Sequence, residues 1–389
     1  MQNGKSLSTA IHQLDTYIRA SNWTGYDPYD LKAHPLYLRL QHRRITAVPA
    51  RAAANLFPLA LRRLLRVRPV SHPKAMALFA DAYLTLFDLT GEKEYQTLAE
   101  ERLAWLREHA SPGFSGLAWG LPFDYQGRDF VPAGVPSVVI TAIAARAFLH
   151  AYQALGQQSY LDAATSACHF LASDVPRHEP DADRLCFSKM PGLRWHVHNA
   201  NLMVAATLAT VGCVAGTDEW DDLVRRAVNY TLAEQREDGA WYYWGPPDRL
   251  LHWVDHYHTG FVLRALDDLS TATGWPDLRE PLDRGYAFYT QRLFDQGYIP
   301  RLTDTRRYPI DIHSCAEAIL CLGQLADRYD DALARARLVT RWTLAHMRHP
   351  DGYFYYRRYR WLTIKIPYMR WGQAWMMAAL ARLQRALAN

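Results

Sequence analysis

Lysine is scarce in this chain: of 44 Lys+Arg only six are Lys (Lys5, Lys32, Lys74, Lys93, Lys189 and Lys365), the rest being Arg. Arginine's planar fork pairs with carboxylates and phosphates. The formal net charge is nevertheless only +5, and no basic stripe alternates with aromatics, so nucleic acid is not an expected partner. The five cysteines, Cys168, Cys186, Cys213, Cys315 and Cys321, contain no CxxC pair, which argues for free, mostly buried thiols in a reducing compartment. No run of about 18 apolar residues occurs, and MQNGKSLSTAIHQLD lacks the apolar core of a signal peptide. The expectation is a soluble cytoplasmic protein without membrane insertion. GxGxxG, GxxxxGK[ST] and GxSxG are absent, removing the dinucleotide, phosphate-loop and serine-hydrolase readings, and no cofactor is expected. No Cys/His cluster has ligand spacing. His256 and His258, two apart on a helix, face away from each other, so no metal is expected either.

Hydrophobic residues make up 49% of the chain and charged residues 21%, enough to bury a large core. No long polar or Pro/Gly-rich seam divides it, so residues 1–389 are expected to form one domain. Small apolar helical segments begin near Pro73, Pro136, Val197, Tyr257, Ile312 and Trp371, at intervals of 55 to 63 residues. Six copies at a near-constant period are the mark of a repeat architecture. Segments such as EKEYQTLAEERLAWLREH and DEWDDLVRRAVNYTLAEQ separate them, apolar on one face and charged on the other. Inner helices that are apolar nearly all round, with amphipathic helices leaning on them, make an all-α fold: an (α/α)6 toroid. Another helical segment is expected from Ala52 to Val67. Each outer helix is followed by a Gly- and aromatic-bearing loop, as in DGAWYYWG at Asp238 or DGYFYYRR at Asp351, expected to form short strands or hairpins. These loops feed the inner helices, so all should gather at one mouth of the ring.

Polar groups concentrate just before or within the first turn of the inner helices: Arg194, His196, His198 and Asn199; Asp255, His256, Tyr257 and His258; Asp311, His313 and Glu317; Arg370, Trp371 and Gln373. Capping needs only one Ser, Thr or Asp per helix. Taken singly, Asp255 and Asp311 also fit N-caps facing the helix dipole, and Asp27 and Asp30 fit turn formers. Trp241, Tyr242, Tyr243 and Trp244 cannot all point inward, so some should face the cleft. Aromatics with carboxylates and amides between them suit a sugar, whose C–H faces stack on rings while its hydroxyls need polar partners. Glycosidic hydrolysis needs two carboxylates, one acid and one base or nucleophile. Asp255 and Asp311 are the pair so assigned, with Asp124, Asp27 and Asp30 in reserve. Trp241, Tyr243 and Trp253 are assigned as stacking platforms, and Tyr257, Arg194, Trp371 and Gln373 as further binding residues.

The repeats, the DGxW loop and Trp253-Val254-Asp255 ahead of an inner helix resemble the six-hairpin glycosidase superfamily. In its unsaturated glucuronyl and rhamnogalacturonyl hydrolase branch a Trp-x-Asp holds the catalytic acid, a role the resemblance gives to Asp255. WTGYDPYD, HNAN, WVDHYHTGFVL and YPIDIHSCAEAI are also similar to proteins encoded with bacterial exopolysaccharide or O-antigen genes. The resemblance implies an oligosaccharide or surface polysaccharide, acidic ones included, as partner, and glycoside hydrolysis as the leading activity. Toroidal relatives keep two alternatives open. Acylglucosamine 2-epimerases use histidines as acid and base, for which His198, His258 and His313 are candidates. Polysaccharide lyases and C5-epimerases neutralise a uronate with Asn or Arg beside a His or Tyr base, for which Asn199, Arg194, His198 and Tyr257 are candidates. A non-catalytic polysaccharide-binding protein is the remaining class.

Overall fold

In the computed structural model, which describes residues 2–42, 44–248 and 252–388, six helices form an inner ring: α5 (Pro73–Thr90), α7 (Val138–Leu155), α9 (His198–Ala215), α11 (His256–Thr273), α13 (Ile312–Gln324) and α15 (Trp375–Ala386). Each packs on the next and α15 packs back on α5, so the ring closes. Their apolar faces meet inward with residues such as Phe79, Phe148 and Leu263 fully buried. α6 (Lys93–Glu108), α8 (Gln158–Ser173), α10 (Asp221–Ala233), α12 (Arg279–Arg292) and α14 (Ala332–His346) lie outside, each against the inner helix it follows, while α1 (Gln2–Ala20) covers α15. The (α/α)6 toroid expected from the period is therefore the fold. Gly91, Gly156, Gly216 and Gly274, all at positive φ, end four inner helices, the conformation that stops a helix with least strain. Two inner helices, Val138–Leu155 and His198–Ala215, are long and apolar enough to cross a bilayer by composition, but each is mostly buried in the ring.

Three features differ from the expectation. The segment from Ala52 to Val67 is not one helix. α2 (Pro35–His42), α3 (Arg44–Leu56) and α4 (Pro58–Leu64) are three pieces inserted between α1 and α5, and the break at Phe57 falls where Pro58 disfavours helical backbone in its predecessor. Second, the rim loops pair unevenly. Hairpins form at Tyr125–Gln126 with Phe130–Val131, Arg177–Asp181 with Arg184–Phe187, and Phe294–Asp295 with Ile299–Pro300, and Ile310–Asp311, Arg357–Arg358 and Thr363–Ile364 make a three-stranded sheet. The aromatic stretches at residues 113–120 and 238–244 themselves contribute isolated bridges, at Gly120–Pro136 and Val197–Trp244. In the second loop Pro246 and Pro247 follow at once and have no N–H to extend a ladder. Third, the last inner helix opens with a π turn over Met369–Ala374, wider than an α turn, and both Arg370 and Trp371 reach the ring's interior.

Gly239, in the loop that opens the fourth repeat, sits at φ +90°, and a Cβ there would stand 2.3 Å from the Arg284 carbonyl oxygen. Gly239→Ala should cost about 2 kcal/mol or more of stability, from the left-handed backbone and the clash together, measured as a shift of the urea midpoint with unchanged slope.

Candidate functional site

A cavity of about 310 Å³ opens at the end of the ring where the inner helices begin. Its aromatic wall is Tyr29, Tyr125, Trp195, Tyr243, Trp244, Trp253, Tyr257 and Trp371, with Phe261 deeper. Tyr243 stacks on Trp253 at 4.7 Å between ring centres, and Trp371 stacks on His313 at 4.6 Å. The polar lining is Lys74, Arg128, Lys189, Arg370, His72, His258, His313, Asn199 and Ser137. Among the described residues no Asp or Glu is part of it. Phe261 also lines a second cavity of about 200 Å³ at the opposite end, whose walls carry Asp81, Arg146, His150, Arg264, Asp268 and Arg382. Phe261 is thus common to both walls.

The carboxylates expected to do acid/base work stand behind this lining. Asp255 caps α11. One oxygen accepts from the His258 N–H at 2.8 Å, and the other lies 2.5 Å from His258 Nδ1. Asp311 caps α13 through the His313 N–H at 2.9 Å, accepts from Trp371 Nε1 at 2.8 Å and pairs with Arg357 at 2.6 Å. Both are buried, at 3% and 1% exposure. Neither carboxylate is among the residues that line the cavity: each sits at the N-terminus of its inner helix, Asp255 behind His258 and Asp311 beside Arg357 and Trp371. Asp27 is likewise buried and held by Arg370 at 2.5 and 2.7 Å, and Asp30 pairs with Arg62 at 2.7 Å. Asp124 is exposed and accepts from the Ala133 N–H.

His258 does face the cavity. With the Asp255 carboxylate on Nδ1, the Nδ1–H tautomer is favoured and Nε2 is left with its lone pair for the interior. Tyr243 and Tyr257 flank its ring, each at 4.2 Å. His313 is also at the surface of the cavity. Burial, then Lys74, hold it well below the usual histidine range. His72 caps α5 by accepting the Lys74 N–H on Nδ1, which puts the ring proton on Nε2. That Nε2 is buried with no acceptor, and the amide oxygen of Asn199 is buried with no donor. Such orphaned groups in a cavity wall are positions for a ligand's complementary atoms.

Of the other expected residues, Tyr243, Trp253, Tyr257, Trp371 and Asn199 line the cavity. His198 turns outward toward Thr231 and Tyr230 and lines only a crevice of about 10 Å³. Trp241 is a structural wedge, its indole N–H bonded to the Thr231 carbonyl and its ring against Gly285. Arg194 is exposed away from the cavity, whereas its neighbour Trp195 enters it. Gln373 is consumed by the Phe354 backbone, donating at 2.9 Å and accepting at 2.8 Å. Glu317, from the same constellation, lies fully buried and pairs with Arg264. Burial pushes its carboxyl up to about 7.

Sequence reasoning left Tyr29, Tyr125, Lys189, Trp195, Trp244 and Arg370 outside the assigned site. A signal was present for the lysines. In a chain so poor in Lys, two of the six, Lys74 and Lys189, line this cavity, and a third, Lys32, sits over Tyr29 and Tyr125 at 4.3 and 5.0 Å. Burial, then Arg370 and Lys189, drives Lys74 well below the usual lysine range. Burial, then Lys32 and Arg370, brings Lys189 down to about 8. Cations crowded into a desolvated space favour a bound anion. Among the described residues no group of three or more His, Cys, Asp or Glu is placed to hold a metal.

No family model and no curated protein matches the chain. Many solved structures share its fold. A cellobiose 2-epimerase from Bacillus thermoamylovorans aligns with TM-score 0.64 and 12% identity, over 83% of this chain and 90% of that one. A GH76 α-mannanase from Bacteroides thetaiotaomicron aligns with TM-score 0.65 and 14% identity, over 82% and 88%. An unsaturated glucuronyl hydrolase specific for heparin aligns with TM-score 0.64 and 12% identity, over 100% and 98%. These likenesses show the toroid fold that the chain shares with them.

Removing Arg357 would strand the buried Asp311 carboxylate. Arg357→Ala should cost about 3 kcal/mol, read from chemical denaturation.

Proposed function

We propose that this chain, as one domain over residues 1–389, is a carbohydrate-active enzyme. Its substrate in this reading is an acidic oligosaccharide or polysaccharide, and it acts by removing a proton from a sugar carbon as a lyase or epimerase does. The observation that carries this is the lining itself: two lysines, two arginines, three histidines and an aromatic wall, with no carboxylate among the described residues that form it. The aromatic faces suit pyranose rings. Lys74, Lys189 and Arg370 suit a sugar carboxylate, whose neutralisation makes the adjacent C–H more acidic. His258 Nε2, backed by Asp255, is then the base, and Tyr257 the group that gives a proton back. Burial, followed by the nearby Asp255, raises the Tyr257 phenol well above its ordinary range, so it stays protonated and able to donate. The similarity in fold to an epimerase, a polysaccharide lyase and glycoside hydrolases fits the substrate class.

Glycoside hydrolysis by Asp255 and Asp311 would require both carboxylates to leave His258, Trp371 and Arg357 and turn inward. The two chemistries separate by product. A lyase releases an unsaturated, ultraviolet-absorbing sugar, an epimerase exchanges solvent deuterium into substrate, and a hydrolase releases reducing ends alone. A cytoplasmic setting, in polysaccharide biosynthesis, is part of this reading and rests on composition and on the absence of disulfides among the five cysteines.

In assays of acidic polysaccharides, His258→Ala should lower kcat by about a hundredfold or more while leaving KM within a few-fold, and Lys74→Ala should act mainly on KM. Reducing-end release without unsaturation or exchange, lost in Asp311→Asn, would overturn the proton-transfer assignment. For the acidic ligand the pH sign follows from Lys189. Its ammonium form, which an anion needs, is present below about 8 and is lost above it, so affinity by calorimetry should weaken as pH rises through about 8. A neutral sugar should show no such fall.

A further inference from the structure

The apolar side chains exposed by this protein are not scattered. Of twelve large ones among the described residues, eight lie between Leu36 and Leu64, in α2 to α4, and two more are Trp361 and Leu362. The insertion and the Thr363–Ile364 edge meet along a groove of about 390 Å³ that brings Phe57 and Leu59 to Leu362 and Lys365. Ile45 is 89% exposed, Trp361 86% and Leu64 78%, values that water alone does not favour for side chains of this size.

The charge of the same segment selects the occupant. No Asp or Glu occurs between Asp30 and Asp81, while eight Arg occur from Arg39 to Arg68. Arg39, Arg51, Arg63 and Arg68 are exposed, and so are Arg360 and Lys365 across the groove. We propose that α2–α4 and the Trp361 turn form a docking surface for an anionic lipid bilayer, with the apolar side chains entering the headgroup boundary and the arginines pairing with lipid phosphates. Short amphipathic helices with Arg on the polar side and Leu, Phe and Trp on the other have the composition of interfacial anchors. A second copy of this chain fits the face poorly, since pairing it with itself would set arginine against arginine. Nucleic acid would leave the leucines and isoleucine in water.

The surface is coupled to the cavity by covalent and ionic proximity. Arg62 of α4 is 1% exposed, pairs with Asp30 and donates to the Asp27 carbonyl, and the Asp27 carboxylate holds Arg370 in the cavity wall. A bilayer on α2–α4 would therefore lie beside the mouth. The docking proposal does not depend on what the cavity binds.

The test is co-sedimentation of the full chain with vesicles of phosphatidylglycerol and phosphatidylcholine, compared with phosphatidylcholine alone. Binding is expected to the anionic vesicles, to fall with added salt, and to weaken about fivefold for each of Arg63→Gln and Arg68→Gln. The double variant Phe57→Ser, Trp361→Ser should weaken it further, with thermal unfolding unchanged because all four positions are exposed. Absence of sedimentation with anionic vesicles would overturn the proposal. So would equal binding by the variants, or a concentration-dependent dimer, abolished by Phe57→Ser, that accounts for the covered face.

Discussion

Where the first and last repeats of the ring meet there is a buried ion pair. Asp27, in the first loop, and Arg370, at the opening of the last inner helix, lie 343 residues apart and meet through two hydrogen bonds with 2% and 3% exposure. Taking both charges out of water is costly, and the cost is offset only by paired geometry and by further partners. Arg370 also lies 5.0 Å from the rings of Tyr29 and Trp371, and Asp27 is capped by the Tyr29 N–H. Around this pair the first and last repeats, the insertion through Arg62, and the cationic side of the cavity come together. What fastens the chain's two ends also shapes the place where it works.

The same economy runs around the mouth. Asp255, Asp311 and Asp27 each sit one bond behind a residue that faces the interior: His258, Trp371 and Arg370. A carboxylate in the second row orients and polarises its partner without presenting its own negative charge to the cavity. A ring whose helices all point their N-termini at one opening adds positive potential there, and the aspartate caps moderate it from behind.

Most of the architecture was legible because periodicity survives without knowledge of contacts. Six apolar helices at near-equal intervals, with glycine stops, lead to the toroid, and loops feeding helix N-termini lead to a single mouth. What stayed hidden was direction. Asp255 and Asp311 stand at the mouths of neighbouring repeats, as a reacting pair would, and the alternative reading as caps was equally compatible with the sequence. Which one holds depends on Arg357, supplied by a hairpin 46 residues away. Trp241 and Tyr243 are two residues apart, yet one wedges between helices and the other lines the cavity, a distinction decided by Gly285 making room for the Trp241 ring. Arg370 was visible beside Trp371 but received no role, because an α-helical spacing does not bring adjacent residues to one surface and the π turn at Met369 does. The lysines were readable in retrospect, since rarity of a residue type in a chain rich in its substitute marks the few places where a compact ammonium is wanted.

Phe261 belongs to the walls of both cavities. Because one ring is common to the two linings, any rotation of this side chain reshapes both spaces at once, and the two ends of the toroid are linked through a single phenylalanine.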